Sequence, residues 1–122
     1  VVTHHALVPP PDGGSGVVIP RNEGLLDRFR ELGVDLILSG HLHRGFVTSS
    51  SEVRPDHRDR GDIAIVHSGT AMSNRGRKAE KGENSVNVLK IRAEGIEVMP
   101  FWFQEHVAGF VAREPINIRR SE

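Results

Sequence analysis

The chain lacks cysteine, an excess of charge of either sign, and any long apolar run. Without cysteine there are no disulfides, thiolate nucleophiles or cysteine-type zinc sites, so imidazole and carboxylate remain as metal ligands. Basic and acidic residues number 16 each, and this balance gives no indication of binding to nucleic acid or to a membrane surface. No apolar run approaches the ~20 residues that cross a bilayer, so the composition predicts a soluble globular chain.

The most distinctive motif that is present is Gly-His-Leu-His at residues 40–43, directly after the apolar run 34–39. Glycine permits a sharp turn, so a strand ending here would present both imidazoles at the rim of a sheet. Ligands collect at the carboxyl ends of strands in α/β sheets. A second pair, His4 and His5, follows a short apolar stretch. Together the two pairs indicate half of a metal site.

One clear helix is predicted between these two motifs. Asn22 is the expected N-cap and Gly33 the left-handed stop. One face carries four apolar residues at helical spacing, namely Leu25, Leu26, Phe29 and Leu32. The opposite face is expected to point to water and carries Asp27, Arg28, Arg30 and Glu31.

The segments around the second motif are predicted to be strands joined by a loop. Residues 34–38 and 63–67 are read as buried strands, and residues 46–48 as a short strand. The segment 49–61 is rich in serine, aspartate and arginine, and is predicted to be a mobile loop.

The last third of the chain predicts a β-hairpin. Apolar positions in residues 86–91 and 96–103 flank a turn at residues 93–95, where Gly95 is expected to adopt a positive φ. From Arg113 to Glu122 the sequence turns polar and is expected to fray.

A strand-end His-His pair followed by Gly-His-x-His resembles the C-terminal half of the calcineurin-like metallophosphoesterases, which include phosphodiesterases, nucleases and protein phosphatases. The segments 69–77 and 83–88 look like the region after this motif in bacterial members of the cyclic-nucleotide phosphodiesterase-like kind. The resemblance implies an α/β fold, the C-terminal part of an α-β-β-α sandwich, made mostly of strands with one clear helix.

Three motifs that precede these residues in the family are missing from the chain. They are Asp-x-His, Gly-Asp-x-x-Asp and Gly-Asn-His, and Gly61-Asp62 lacks the second aspartate of the middle motif. We therefore expect residues 1–122 to be a C-terminal fragment of a single metallophosphoesterase domain. No catalytic residue is assignable within the fragment, because the family's remaining ligands belong to the missing motifs.

The resemblance also implies a set of metal ligands. His4 and His41 would bind one ion and His43 the other, with His5 outside the first coordination shell. The complete domain would hold two divalent or mixed-valence ions, with iron, manganese and zinc all compatible with these donors. Three other histidines, His57, His67 and His106, are more simply interpreted as structural residues.

Arg75 and Arg77 are candidate contacts to substrate phosphate, because guanidinium groups bind phosphoryl oxygens in bidentate fashion. A solvated loop explains the same residues and is the favoured interpretation, since charges of alternating sign follow them.

The function implied for the parent protein is a metal-dependent phosphoester hydrolase, either a phosphodiesterase or a phosphatase. Two metal ions would activate a water molecule that attacks phosphorus. Its partner would be a small-molecule phosphoester, its location cytoplasmic, and the isolated fragment inactive. The alternative is a non-catalytic binding or structural module that retains the fold and part of the metal site.

Overall fold

The computed structural model describes residues 1–12, 18–74 and 83–119, which form parts of two compact units. The first unit comprises Val1–Leu42 and Phe46–His67, and the second comprises His43–Gly45 and Ser68–Glu122. Strands predominate over helices, as expected for the predicted α/β class. No helix among the described residues has the length and apolar character needed to span a membrane.

The first unit contains a three-stranded sheet with helices around it. Its elements in order are α1 (Asn22–Glu31), β1 (Leu36–Ser39), β2 (Phe46–Ser49), a 3-10 turn (Ser50–Glu52), α2 (His57–Arg60) and β3 (Ala64–His67). Strand β3 is central, parallel to β1 and antiparallel to β2. The three predicted strands are thereby confirmed within one or two residues. The fully buried core consists of Leu7, Val8, Leu26, Ile37, Ile63 and Ile65.

Helix α1 confirms the predicted helix but not its predicted cap. Residue Arg21 occupies the N-cap position with φ 61°, and no side chain caps the helix there. The Asn22 amide instead donates a hydrogen bond to the Leu7 carbonyl oxygen at 2.8 Å, which ties the helix start to the core segment. Gly33 ends the helix region at φ 72°, as predicted. The apolar face is narrower than expected, because Leu32 is 63% exposed.

The segment predicted to be a mobile loop, residues 49–61, is in fact ordered into the 3-10 turn and α2. Ser50 and His57 are completely buried, which a solvated loop would not allow. The prediction was wrong because the polar residues of this segment bind one another and Asp27 of α1. Asp27 accordingly does not simply point to water as predicted.

The second unit is an antiparallel sheet. It contains β4 (Ser85–Ile91), β5 (Gly95–Gln104), a 3-10 turn (Glu105–Val107), β6 (Gly109–Ala112) and β7 (Ile116–Arg119). Strands β4 and β5 pair from Ser85 and Trp102 to Ile91 and Ile96, which confirms the predicted hairpin. The predicted fraying from Arg113 is wrong for residues 116–119, because β7 pairs with β5. Residues 120–122 lie outside the described residues.

Strand β5 shares its second edge between two short strands, and its proline lies at the break between them. Strand β7 covers Gly95 to Val98, and β6 covers Phe101 to Gln104. The Pro100 carbonyl oxygen accepts a hydrogen bond from the Arg113 N–H at 2.8 Å, on the edge that β6 and β7 share. In an antiparallel strand the N–H and C=O of one residue point to the same side. The N–H that Pro100 lacks would therefore point into the gap between β6 and β7, where no strand residue pairs with it.

Gly95 is required for a different reason from the one predicted. It has no positive φ, unlike Gly33 and Gly61. A Cβ added to Gly95 would lie 2.5 Å from the Ile118 carbonyl oxygen. Glycine is therefore needed here because strand β7 approaches the backbone closely.

Candidate metal centre

The Gly-His-x-His motif follows β1, and its two histidines carry the unusual backbone conformation. His41 has φ 69° and His43 has φ 52°, both in the left-handed region. This region costs an L-residue about 1–2 kcal/mol, although histidine enters it more often than most residues. Gly40, at which we predicted the sharp turn, is not in the left-handed region. The chain therefore changes direction at the imidazole-bearing residues themselves.

The segment that carries His4 and His5 runs beside β1. Thr3 N–H donates to the Leu38 carbonyl oxygen at 2.8 Å, and Gly40 N–H donates to the His4 carbonyl oxygen at 3.3 Å. The Ser39 hydroxyl donates to the His5 carbonyl oxygen at 3.0 Å. These bonds place both histidines at the end of β1 from which His41 extends.

Three imidazoles meet at this end of the sheet, and we call His4, His5 and His41 the histidine trio. Each offers one ligand nitrogen, and these nitrogens lie within 4.8 Å of one another. His41 Nδ1 and His4 Nε2 are 3.0 Å apart. Two nitrogens bound tetrahedrally to one ion at ~2.0–2.1 Å would lie about 3.3 Å apart, so the His4–His41 pair is close to the spacing that one ion requires. All three residues are exposed, which leaves the site accessible from solvent.

The structure brings together two of the three predicted ligands and adds one. His4 and His41 belong to the trio, and His5, which we expected outside the first coordination shell, is its third member. His43 is not a member of this group and belongs to the second unit. Its binding of a second ion therefore stays a prediction. Arg75 and Arg77 lie outside the described residues.

His67 is a buried neutral imidazole at the end of β3. Burial lowers its pKa to about 4, and the neighbouring Gly40 backbone only partly opposes this effect. The ring stacks on Phe46 with centroids 4.1 Å apart and planes 16° apart. Among the described residues, no hydrogen bond of good geometry reaches either ring nitrogen, and the contact with the Gly40 backbone is a weak one. The structure thus agrees with a packing role for His67.

No protein-family model matches the chain, and no curated protein matches it. Solved structures of Vps29 do. A double mutant of Vps29 from Entamoeba histolytica has 17% identity and a TM-score of 0.55, over 83% of this chain and 50% of that one. Wild-type Vps29 from the same organism, complexed with Zn²⁺, has 17% identity and a TM-score of 0.53, over 81% and 49%. Vps29 from Chaetomium thermophilum, complexed with a cyclic peptide, has 13% identity and a TM-score of 0.55, over 87% and 53%.

These likenesses show the fold and nothing finer. The chain has the mixed α/β fold of Vps29, which confirms the predicted fold class. It spans about half the length of the structures it matches. The phosphodiesterase-like part of the resemblance is not supported by these neighbours.

Proposed function

We propose that this chain is a metal-dependent binding module with a metallophosphoesterase-like fold, in which the histidine trio holds a single divalent ion. The observation that carries the proposal is the convergence of three exposed imidazole nitrogens within 4.8 Å of one another. The group contains no carboxylate. Its donor chemistry therefore favours zinc and other transition-metal ions over magnesium or calcium, which prefer oxygen ligands.

The trio is suited to one ion rather than two. Catalytic two-metal sites hold their ions ~3.5–4 Å apart. Two divalent cations that close repel each other strongly, and the three members of the trio are neutral imidazoles that cannot offset this charge. The trio therefore has too few ligands and too little negative charge to hold the two ions that this phosphoester chemistry requires.

The proposed role of the ion is to bind a partner's side chain. Three protein ligands leave a fourth tetrahedral position, which a carboxylate or imidazole from another protein can occupy. The peptide complex of Chaetomium thermophilum Vps29 supports a peptide-binding role for this fold rather than a small-molecule substrate. We therefore propose a protein segment as the partner.

A second candidate is phosphoester hydrolysis by a longer protein that contains this chain. The Gly-His-x-His motif favours it, because the trio's fourth position also suits an activated water molecule. In that case His43 would bind a second ion, and Arg75 and Arg77 would contact the substrate phosphate. The 122 residues alone are predicted to be inactive.

Metal titration tests the binding-module proposal. Calorimetry with Zn²⁺, and the visible spectrum with Co²⁺, should give one tetrahedral ion per chain. His4→Ala, His5→Ala and His41→Ala should each weaken binding by about 100-fold or more, because each removes one of three protein ligands. His106→Ala, at an exposed histidine of the second unit, is the matched control and should bind as the wild type does.

Two results would overturn this assignment. One is the absence of Zn²⁺ binding, and the other is an unchanged affinity in the three trio variants. The His43→Ala variant separates the two candidates, because one-ion binding leaves its stoichiometry unchanged whereas two-ion binding reduces it from two to one.

Hydrolysis of bis(4-nitrophenyl) phosphate in the presence of Zn²⁺ or Mn²⁺ gives a direct activity test. We expect turnover no faster than with the free ion, because the trio lacks the charge and ligands of a two-ion centre. Chelator-sensitive turnover that His41→Ala abolishes would overturn both the binding module and the predicted inactivity of the 122 residues.

A further inference from the structure

Away from the histidine trio, a chain of hydrogen bonds links α1 to the segment before β3, and it is buried at its centre and partly exposed at its two carboxylate ends. His57 Nε2 lies 2.9 Å from Asp27 Oδ1, and His57 Nδ1 lies 2.8 Å from Ser50 Oγ. Ser50 Oγ in turn donates to Asp62 Oδ1 at 2.9 Å. We call Asp27, His57, Ser50 and Asp62 the buried polar chain. Ser50 and His57 are both completely buried.

The order serine, imidazole, carboxylate has the spacing of a nucleophilic triad, but it cannot act as one here. A nucleophilic Oγ must be accessible to substrate. Ser50 Oγ has no exposure, and it is occupied by the Asp62 carboxylate and by the Ile63 N–H at 3.1 Å. The buried polar chain therefore has a structural role. The atom that carries each of its protons can be deduced from the hydrogen bonds.

Both ends of the buried polar chain are carboxylates, which when ionised can accept hydrogen bonds but not donate them. The hydrogen bond from His57 lowers the pKa of Asp27, burial opposes this with a smaller effect, and the nearby Arg54 lowers the pKa further. Burial raises the pKa of Asp62, but hydrogen bonds from Ser49, Ser51 and Ser50 outweigh this and lower it overall. With both carboxylates ionised, each atom that forms a hydrogen bond with them must carry the proton and act as the donor.

The protons of Ser50 and His57 are thereby fixed. Because Asp27 can only accept, His57 Nε2 must carry a proton. The Ser50 hydroxyl has one proton and gives it to Asp62, so its oxygen can only accept from its remaining neighbours. His57 Nδ1, 2.8 Å from that oxygen, must then donate as well.

We infer that His57 is an imidazolium cation in the folded protein, and that the loss of one ring proton opens the segment from Ser50 to Asp62. A neutral ring can satisfy Asp27 or Ser50 but not both, so deprotonation would leave a buried polar atom without a partner. The second ring proton of His57 thus holds α1 and this segment together, because the ring can then donate to Asp27 and to Ser50 at once.

The charged groups around His57 are consistent with a buried cation. From α1, Asp27 contacts the ring directly. From the connection before α2, Arg54 forms an ion pair with the same Asp27 oxygen at 2.9 Å, and Asp56 and Glu23 lie 3.6 and 4.0 Å from the Arg54 guanidinium. From the segment after α2, Asp62 acts through Ser50. These groups comprise four carboxylates and one guanidinium, an excess of negative charge that favours a cationic ring.

Ring ¹⁵N NMR tests the protonation state directly, on the whole chain with chelator present so that metal binding plays no part. The expected spectrum shows both His57 nitrogens protonated whenever the amides of residues 50–62 are protected from hydrogen exchange. As pH is raised, exchange of these amides, corrected for its intrinsic pH dependence, should accelerate at least tenfold along the same curve as ring deprotonation. A ring with a single proton in a segment that stays protected would overturn the inference.

The Ser50→Ala variant tests the proton count. It removes the acceptor of the His57 Nδ1–H, so a ring with a single proton on Nε2 satisfies its remaining partner, Asp27. The ring should then carry one proton at a pH where the wild-type ring carries two. His106→Gln, at an exposed histidine, should leave the His57 spectrum unchanged. If Ser50→Ala does not fold, the wild-type spectrum alone decides between the two protonation states.

Discussion

At the scale of single residues, the left-handed backbone of His41 ties together a ligand and a local conformation. Its φ of 69° is one that glycine adopts freely and that a residue with a Cβ adopts at a cost. The same residue provides one of the three nitrogens of the trio. If backbone strain alone decided the residue at this position, it would be glycine. The imidazole is therefore present in spite of its conformational cost.

Substitutions at His41 should separate these two properties. His41→Gly should have a free energy of unfolding about 1 kcal/mol higher than His41→Ala, because only alanine is strained at this φ. Both variants should lose Zn²⁺ binding to the same degree. Urea denaturation of the metal-free proteins measures the first effect. Equal stability of the two variants would mean that the left-handed conformation is not maintained in solution.

The sequence predicted part of the trio but not the buried polar chain. His4 and His41 could be found because each closely follows a short apolar stretch, a pattern visible over a few residues. The role of His5 depends on the ring directions at the strand end, which no spacing specifies. The contact between His57 and Asp27 joins residues 30 positions apart, in a segment whose serines and charges are typical of solvated loops.

At the scale of elements, the close approach of β7 to β5 decides what can stand at Gly95. Their pairing places Gly95 opposite Arg119 and Ile96 opposite Ile118. A Cβ at Gly95 would meet backbone, which cannot rotate away as a flexible side chain can. Gly24, within α1, offers a contrast, because a Cβ there would meet nothing within 4 Å.

Alanine substitutions at these two glycines should have opposite effects. Gly95→Ala should lower the free energy of unfolding by about 1–3 kcal/mol, since β7 must shift to relieve the contact. Gly24→Ala should raise it by about 0.5–1 kcal/mol, because alanine is favoured over glycine within a helix. Urea denaturation at one pH compares both with the wild type. An unchanged free energy of unfolding in Gly95→Ala would show that β7 does not pack against Gly95 in solution.

The elements were predicted best where alternation was strong and local. The β4–β5 hairpin has alternating apolar positions on both sides of a short turn, and this pattern needs no knowledge of the rest of the chain. Strand β7 was missed because Ile116 to Arg119 is short, mostly exposed and set in a polar tail. It is a strand only because β5 offers an unpaired edge there, which is a property of the assembled sheet.

At the scale of the whole molecule, buried His67 makes stability depend on acidity. Its folded pKa of about 4 lies below the ordinary 6.5, so the unfolded chain binds the extra proton more readily. This contribution to stability is fully present above pH 6.5 and is lost as pH falls toward 4. A shift of this size corresponds to about 3 kcal/mol across that window.

The His67→Leu variant should therefore have a flatter pH profile than the wild type. Between pH 7 and pH 4, its free energy of unfolding should fall by about 3 kcal/mol less than that of the wild type, whatever the other groups contribute. Urea denaturation followed by far-ultraviolet circular dichroism at four pH values measures the difference, with His106→Gln as the control. Parallel profiles for His67→Leu and the wild type would show that His67 is not buried and neutral.

The two sheets differ in how far apart along the chain their paired strands lie, and this difference orders their assembly in time. Residues 92–94 alone separate β4 from β5, whereas residues 40–63 separate the parallel partners β1 and β3. Hairpins close within microseconds, while pairings across long loops are slower because more chain entropy must be lost first. The histidine trio then comes together at a late step, when the segment around His4 joins β1. Zinc in a refolding solution should consequently slow the unfolding of the first unit without hastening formation of the hairpin.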